Sequence, residues 1–343
     1  MTDKSQPDVA GNAVSEADNE AGLPDHAGPR RILPELAGQR LDQVLVTLYP
    51  ELSRSRLQAL LKQGHLTVSD SSGHLIKSSP SARVVGSETV QLHRLPELAP
   101  AHIIAQAIEL DVIHQDEHIL VINKPANLVM HPAAGNPDGT VQNALLHFDP
   151  GLRAIPRAGI VHRLDKDTTG LFVVARTLQA HTSLISQLQQ RTMGREYIAI
   201  AHGEKLSGGS IDQPIGRHPR DRLRMAVVAS GKPAVTHFRV TRKYHQATEF
   251  AVRLETGRTH QIRVHMAWLR HALIGDPLYG GRRRIGKGFS DTVRSLLENF
   301  PRQALHAHRL SLIHPVTELK SEWIAEIPAD IAELQAALLS AGE

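Results

Sequence analysis

From Ile108 to Ile313 the chain carries a succession of short apolar runs, several of them joined by polar loops too short to hold a helix. Parallel strands need crossovers of a dozen or more residues, so short loops force neighbouring strands to run antiparallel. The runs are Val112-Ile113 and residues 119–122, 160–164, 171–174, 197–201, 238–240, 250–254 and 310–313. Helices are expected at 178–190, 259–271 and 328–340. The predicted class is therefore α+β with a largely antiparallel mixed sheet. No internal repeat is visible.

The N-terminal third is built differently. Residues 1–30 are polar and acidic without periodicity, and are expected to form a disordered tail. Leu41, Val44, Leu45 and Leu48 then fall at helical spacing, as do Leu57, Leu60 and Leu61. Ser53 is placed to cap the second helix and Gly64 to end it. Short alternating segments follow at 66–68, 84–85 and 90–92, giving a small ααβ module over 35–95. Residues 96–107, with two prolines and no period, read as a linker, leaving 108–343 as the main domain.

Charge is compatible with a polyanion partner and equally with ordinary solubility. The chain carries +4 overall, but residues 1–29 hold six acids and only Lys4, a net of −5, which leaves +9 on the remainder. Six Phe, four Tyr and two Trp are too few for a stacking platform on single-stranded nucleic acid. The absence of cysteine excludes disulfides, thiolate metal sites and a cysteine nucleophile, and fits a reducing cytoplasm. No apolar run is long enough to span a membrane, and the N-terminus lacks the basic and apolar regions of a secretory signal. Monomer is the default expectation.

Several motifs fail on inspection. Residues 281–288 approach a phosphate-binding loop, but Gly288 stands where a hydroxyl must reach magnesium. What remains is a basic loop, Arg282, Arg283, Arg284 and Lys287, suited to RNA phosphates or simply solvated. Among 21 histidines none forms a metal-protease motif, and His306 with His308 alone does not make a metal site. No metal and no nucleotide cofactor is expected.

Three stretches carry chemistry. In residues 159–171 an apolar run enters a charged segment, turns through Thr168-Thr169-Gly170 and returns to an apolar strand. A carboxylate held between two such runs suits a nucleophile or general base; Asp165 and Asp167 compete for the part, and a turn-capping role is the plainer alternative. In residues 255–266, Thr259 is placed to cap a helix with Ile262, Met266 and Leu269 inward, putting His260 and Arg263 on a neighbouring face. An arginine there can pair with a buried carboxylate elsewhere. In residues 195–201, alternation places Tyr197, Ala199 and Ala201 on one side.

Together these residues resemble the RluA family of pseudouridine synthases. His162-Arg163-Leu164-Asp165 with Thr168, Gly170 and Leu171 is similar to its signature, Asn123-Lys124-Pro125 with His131-Pro132 to its first motif, and residues 40–95 to an S4-type RNA-binding domain. The runs 132–140 and 162–170, with RHPRDRLRMAV and GKPAVTHFRV, are most similar to its RluD branch. The resemblance implies a cofactor-free isomerase with Asp165 catalytic, Arg263 its ionic partner and Tyr197 against the target uracil. It implies substrate contacts from Arg163, His162, Leu171, His260 and Arg258, with Arg163 filling the space of a flipped base. It implies phosphate contacts from Arg54, Arg56 and Lys62. The expected partner is 23S ribosomal RNA or the assembling large subunit, at the stem-loop called helix 69. Another rRNA site, a tRNA, or a non-catalytic RNA-binding role are the alternatives. Phe172 stands where a smaller aliphatic residue is usual, which predicts a changed pocket depth.

Overall fold

A computed structural model describes residues 28–50, 52, 54–76, 78–93, 103–133, 135–204, 207–221, 223–281 and 288–341. The expectations for residues 1–27, for Ser53, for most of the linker and for the basic loop 282–287 lie outside these. The chain divides into two compact units, one ending at His102 and one beginning at Ile103. No helix among the described residues is long and apolar enough to cross a membrane.

The first unit contains β1 (Arg30–Arg31), α1 (Leu41–Leu48), α2 (Arg54–Gln63), β2 (Leu66–Ser69), β3 (Leu75–Ile76) and β4 (Thr89–Leu92). The sheet order is β1-β4-β2-β3, antiparallel throughout. Leu41, Val44, Leu45, Leu57 and Leu60 pack with Val68 and Val90 into one core, as the helical spacing requires. Gly64 ends α2 in the left-handed region at φ +77°, with His65 N–H donating back to Leu60 O. Val84-Val85 is not a strand. The Glu88 carboxylate accepts N–H groups from Val85, Gly86 and Ser87, closing a turn in place of a ladder. Asp42 is buried and ties α1 to α2 by accepting from Arg40, Arg54 and Gln58. Its carboxyl is held well below the usual range, chiefly by the Arg40 hydrogen bond, against the opposing effect of burial. Arg54 is thus committed to packing through one nitrogen, while Lys62 on the same helix is exposed.

The second unit runs β5 (Asp111–Gln115), β6 (Ile119–Lys124), α3 (Val141–Phe148), β7 (Thr169–Ala175), α4 (Leu178–Gln189) and β8 (Gly194–His202). It continues through β9 (Gly209–Asp212), β10 (Ile215–Arg217), β11 (Met225–Val227), β12 (Val235–Tyr244), β13 (Ala247–Leu254) and α5 (Gln261–Trp268). It closes with α6 (Asp291–Asn299), β14 (Leu305–Ile313), β15 (Lys320–Ile324) and α7 (Ala329–Ser340). The main sheet has the order β5-β6-β7-β14-β8-β13-β12-β9, with β15 beside β14. The pairing of β7 with β14 is parallel and the others are antiparallel, so the sheet is mixed and largely antiparallel, as expected.

β7 is buried at every position because both faces of the sheet are covered there. Phe172 and Val174 face a core with Leu120, Ile122 and α3; Leu171 and Val173 face a second core with Ile119, Val121 and α4. Gly170 sits at φ +110° where β7 meets β14, and a Cβ there would lie 2.3 Å from Ala307 O. Only glycine permits that approach.

Residues 160–164 do not form the expected strand. Arg157, Ala158 and Gly159 all adopt left-handed conformations and redirect the chain. Ile160 then makes a single bridge with Val174. The next β7 amide, Val173 N–H, donates to His162 Nε2 at 3.1 Å, so a ring nitrogen takes the place of a ladder carbonyl. The following backbone is left free to turn.

Buried histidines give the fold an acid limit. Burial, with lesser pressure from His308 and Arg302, pushes His306 down to about 4. A pKa lowered on folding contributes stability that is full above about pH 6.5 and is lost as pH falls toward the folded value. Between pH 7 and pH 5, urea unfolding of His306→Gln is expected to lose about 2 kcal/mol less stability than the wild type. An equal loss in both proteins would show that His306 is not the group taking the proton.

Candidate active site

The turn that carries Asp165 is pinned by its carbonyls. Asp165 O accepts Thr168 N–H at 3.1 Å, Lys166 O accepts Lys124 Nζ at 2.9 Å, and Asp167 O accepts Arg302 Nη1 at 3.2 Å. Lys124 lies at the end of β6, is 1% exposed, and also donates to Pro125 O and Leu128 O. Burial pushes its amine down to about 7, against the pull of Asp167 and Asp165. Arg302 is fixed in turn by both oxygens of Asp330. Gln303 donates to Thr168 Oγ1 at 3.1 Å. Two buried cations and a side-chain amide thus leave this turn little freedom.

Asp165 meets Arg263 of α5, whose Nη1 donates to Oδ2 at 3.1 Å. The other side of the Arg263 fork is held by Asp276, Nε to Oδ2 at 2.8 Å and Nη2 to Oδ1 at 3.0 Å. Asp276 Oδ1 also accepts the N–H groups of Leu278 and Tyr279. Burial alone would lower the Arg263 pKa; the hydrogen bonds and charge of Asp276, then Asp165, outweigh it and raise it. The Tyr279 ring lies under this guanidinium at 5.1 Å. Its hydroxyl accepts Met225 N–H and stands 2.8 Å from His260 Nδ1. A neutral His260 can take this hydroxyl proton at Nδ1 with its own proton on Nε2. Burial lowers the His260 pKa, which favours the same state.

Thr259 does not cap α5. His260 occupies the cap position in the left-handed region at φ 56°, and Gln261 Oε1 accepts Arg258 N–H instead. That departure turns the His260 ring toward Tyr279, where an ordinary cap would have led straight into the helix.

These groups open into a cleft of about 1060 Å³. Asp165, Tyr197, Arg263, Arg163, His162, His260 and Arg258 all line it. Asp165 is a partly exposed side chain, Tyr197 is 5% exposed and Arg163 is exposed. Burial, with the Asp165 charge, raises the Tyr197 phenol. Leu171 does not line the cleft: on β7 it faces the α4 core, one residue out of phase. Phe172 faces the α3 core and does not line the cleft either, so it does not set its depth. His162 is held neutral by burial and the nearby Arg195 charge, at about 3. His306 and His308 are spent on Thr169 Oγ1 and Ala325 O. Among the described residues no group of three or more metal-ligating side chains comes together.

Sequence reasoning passed over Asp276, Lys124 as an anchor, and Arg302. The one available signal was Asp276-Pro277, an acid opening a turn; nothing local marked its ionic partner 13 residues earlier.

One anchored carboxylate, an arginine fork and a buried phenol meet in a cation-rich cleft, the kinds of group that nucleophilic or acid–base chemistry uses. A family model described as RNA pseudouridylate synthase matches residues 118–268, which hold Asp165, Tyr197 and Arg263. Proteins named ribosomal large subunit pseudouridine synthase D are similar over nearly the whole chain. That of Xylella fastidiosa is 51% identical over 302 residues, covering 88% of this chain and 89% of the relative. That of Pseudomonas aeruginosa is 52% identical, covering 86% and 91%. That of Xanthomonas campestris is 48% identical, covering 96% of each. Of solved structures, human RNA pseudouridylate synthase domain containing 1 superposes with a TM-score of 0.52 at 24% identity, covering 68% of this chain and 89% of its own, a likeness of fold. The chain belongs to the RNA pseudouridylate synthase family and is an RNA pseudouridine synthase.

Replacing the buried Asp276 by asparagine puts an amide N–H against the Arg263 fork. Asp276→Asn is expected to cost about 3 kcal/mol in urea unfolding and to slow pseudouridine formation by about 100-fold. Unchanged turnover in a folded variant would show that Asp165 does not depend on this prop.

Proposed function

We propose that this enzyme converts uridines of 23S ribosomal RNA, in the large-subunit stem-loop called helix 69, to pseudouridine, with Asp165 as the catalytic carboxylate and no cofactor. The observation that carries the reading is the pairing of Asp165 with Arg263 in the cleft beside Tyr197. The substrate is carried by the large-subunit enzymes that this chain resembles at 48–52% identity.

The reaction breaks the bond from C1′ to N1, turns the uracil, and joins C1′ to C5. The hydrogen at C5 leaves as a proton and N1 gains one. Atoms and electrons balance within the nucleotide, so no electron acceptor is required. Attack at C1′, addition at C6 and a glycal route each call for one carboxylate, the part given to Asp165. Arg263 supplies the counter-charge and fixes the carboxylate's direction. The raised phenol of Tyr197 enters the reaction protonated, and its part is to lie against the uracil.

The target base leaves the RNA stack at a cost of a few kcal/mol. Arg163, exposed at the cleft two residues before Asp165, is suited to fill the space left behind. The S4-like first unit, through Arg54, Arg56 and Lys62, and the basic residues Arg282, Arg283, Arg284 and Lys287 add phosphate contacts that position the RNA.

The test is release of tritium from 23S rRNA labelled at uridine C5. Wild type is expected to release it and Asp165→Asn to release none, with RNA affinity kept within a few-fold. Release by Asp165→Asn would overturn the catalytic assignment. Release from tRNA but not from 23S rRNA would move the substrate, and mapping to a stem-loop other than helix 69 would move the site.

A further inference from the structure

Arg195 is a buried charged residue of the cleft whose setting the mechanism leaves unexplained. It lies on β8 two residues before Tyr197, on the same face, and is 8% exposed. Its guanidinium has no hydrogen-bond or ion-pair partner among the described residues, and its Nε is buried without one. A buried cation without a counter-ion is costly unless a ligand supplies the charge.

The cleft itself has no spare acid. Six arginines line it, Arg157, Arg163, Arg191, Arg195, Arg258 and Arg263, against Asp165 and Glu255. Asp165 is taken by Arg263; Glu255 is taken by Arg191 and by His237 Nε2 at 2.6 Å. Gly257 leaves room beside the guanidinium: a Cβ there would stand 3.0 Å from Arg195 Nη1. Its charge also reaches His162 and Tyr197, the neighbours of the reacting base in the proposed reaction.

We propose that Arg195 binds a backbone phosphate adjoining the target uridine, closing its own ion pair only when RNA enters the cleft. A strand advances about 7 Å over two residues, the scale of one nucleotide. Tyr197 against the uracil therefore leaves Arg195 beside a neighbouring phosphate. The planar guanidinium presents two parallel N–H donors to an anion of that geometry, which a neutral uracil carbonyl would only half satisfy. The proposal rests on the reading that RNA is the substrate.

Ethylation interference on end-labelled 23S rRNA fragments tests it, because an ethylated phosphate carries no charge. With wild type, ethylation beside the modified uridine is expected to weaken binding about tenfold. With Arg195→Gln that position is expected to become silent while the other sensitive phosphates remain. Affinity should fall about tenfold and the salt slope by about 0.7, one phosphate's share on a single strand. Arg195→Lys, which keeps the charge, should recover the salt slope and part of the affinity. Removing an unpaired buried charge should leave the melting temperature of the free Arg195→Gln protein at or above that of wild type. An interference pattern identical in wild type and Arg195→Gln would overturn the proposal, whether or not tritium is released from the same RNA. Interference as proposed without tritium release would overturn the proposed 23S rRNA site and leave Arg195 as a phosphate contact. Loss of affinity with an unchanged salt slope would assign Arg195 to packing.

Discussion

The site depends on one guanidinium shared between two carboxylates. Arg263 is gripped by Asp276 through two nitrogens and offers the third to Asp165. Asp276 is itself fixed by two backbone amides, so direction is passed from a turn, through a planar fork, to the carboxylate that faces the cleft. A bidentate grip on one side is what gives the single contact on the other side a defined direction. Burial raises the stake: removing Arg263 would leave two carboxylates, that of Asp276 fully buried, without their cation.

The backbone beneath Asp165 is held with equal economy. Three successive carbonyls, those of Asp165, Lys166 and Asp167, each meet a donor, and two of the donors are the buried cations Lys124 and Arg302. These cations come from β6 and from the segment leading into β14, on either side of β7 in the sheet. The mixed sheet therefore does more than fill a core. Its one parallel pairing, β7 with β14, brings together the anchor points of a turn that a purely antiparallel neighbour would have placed elsewhere.

Periodicity made much of the fold legible. The helices at 178–190 and 328–340 appear as α4 and α7, and the alternation around Tyr197 puts Arg195, Tyr197, Ala199 and Ala201 on one buried face. Resemblance to the family added the expected roles of Asp165, Arg263 and Tyr197, and the cleft brings all three together. What misled was local pattern without tertiary context. Residues 160–164 have the composition of a strand, but a histidine ring supplies the acceptor that a strand backbone would have offered. Val84-Val85 looks extended until the Glu88 carboxylate closes the turn. Leu171 shares the signature with Asp165, yet strand alternation sends it to the far face. Asp276 is invisible because the partner that gives it meaning is on another element.

The most direct measurement is the turnover of Arg263→Lys on large-subunit ribosomal RNA, set beside its RNA affinity and its fold. Lysine keeps the positive charge but has no fork with which to hold Asp276 and Asp165 together. If direction transmitted through the shared guanidinium is what makes Asp165 competent, turnover falls by about 100-fold or more while affinity stays within a few-fold. Turnover at the wild-type level would mean that a nearby positive charge suffices, and that the bridge from Asp276 to Asp165 is not the source of catalysis.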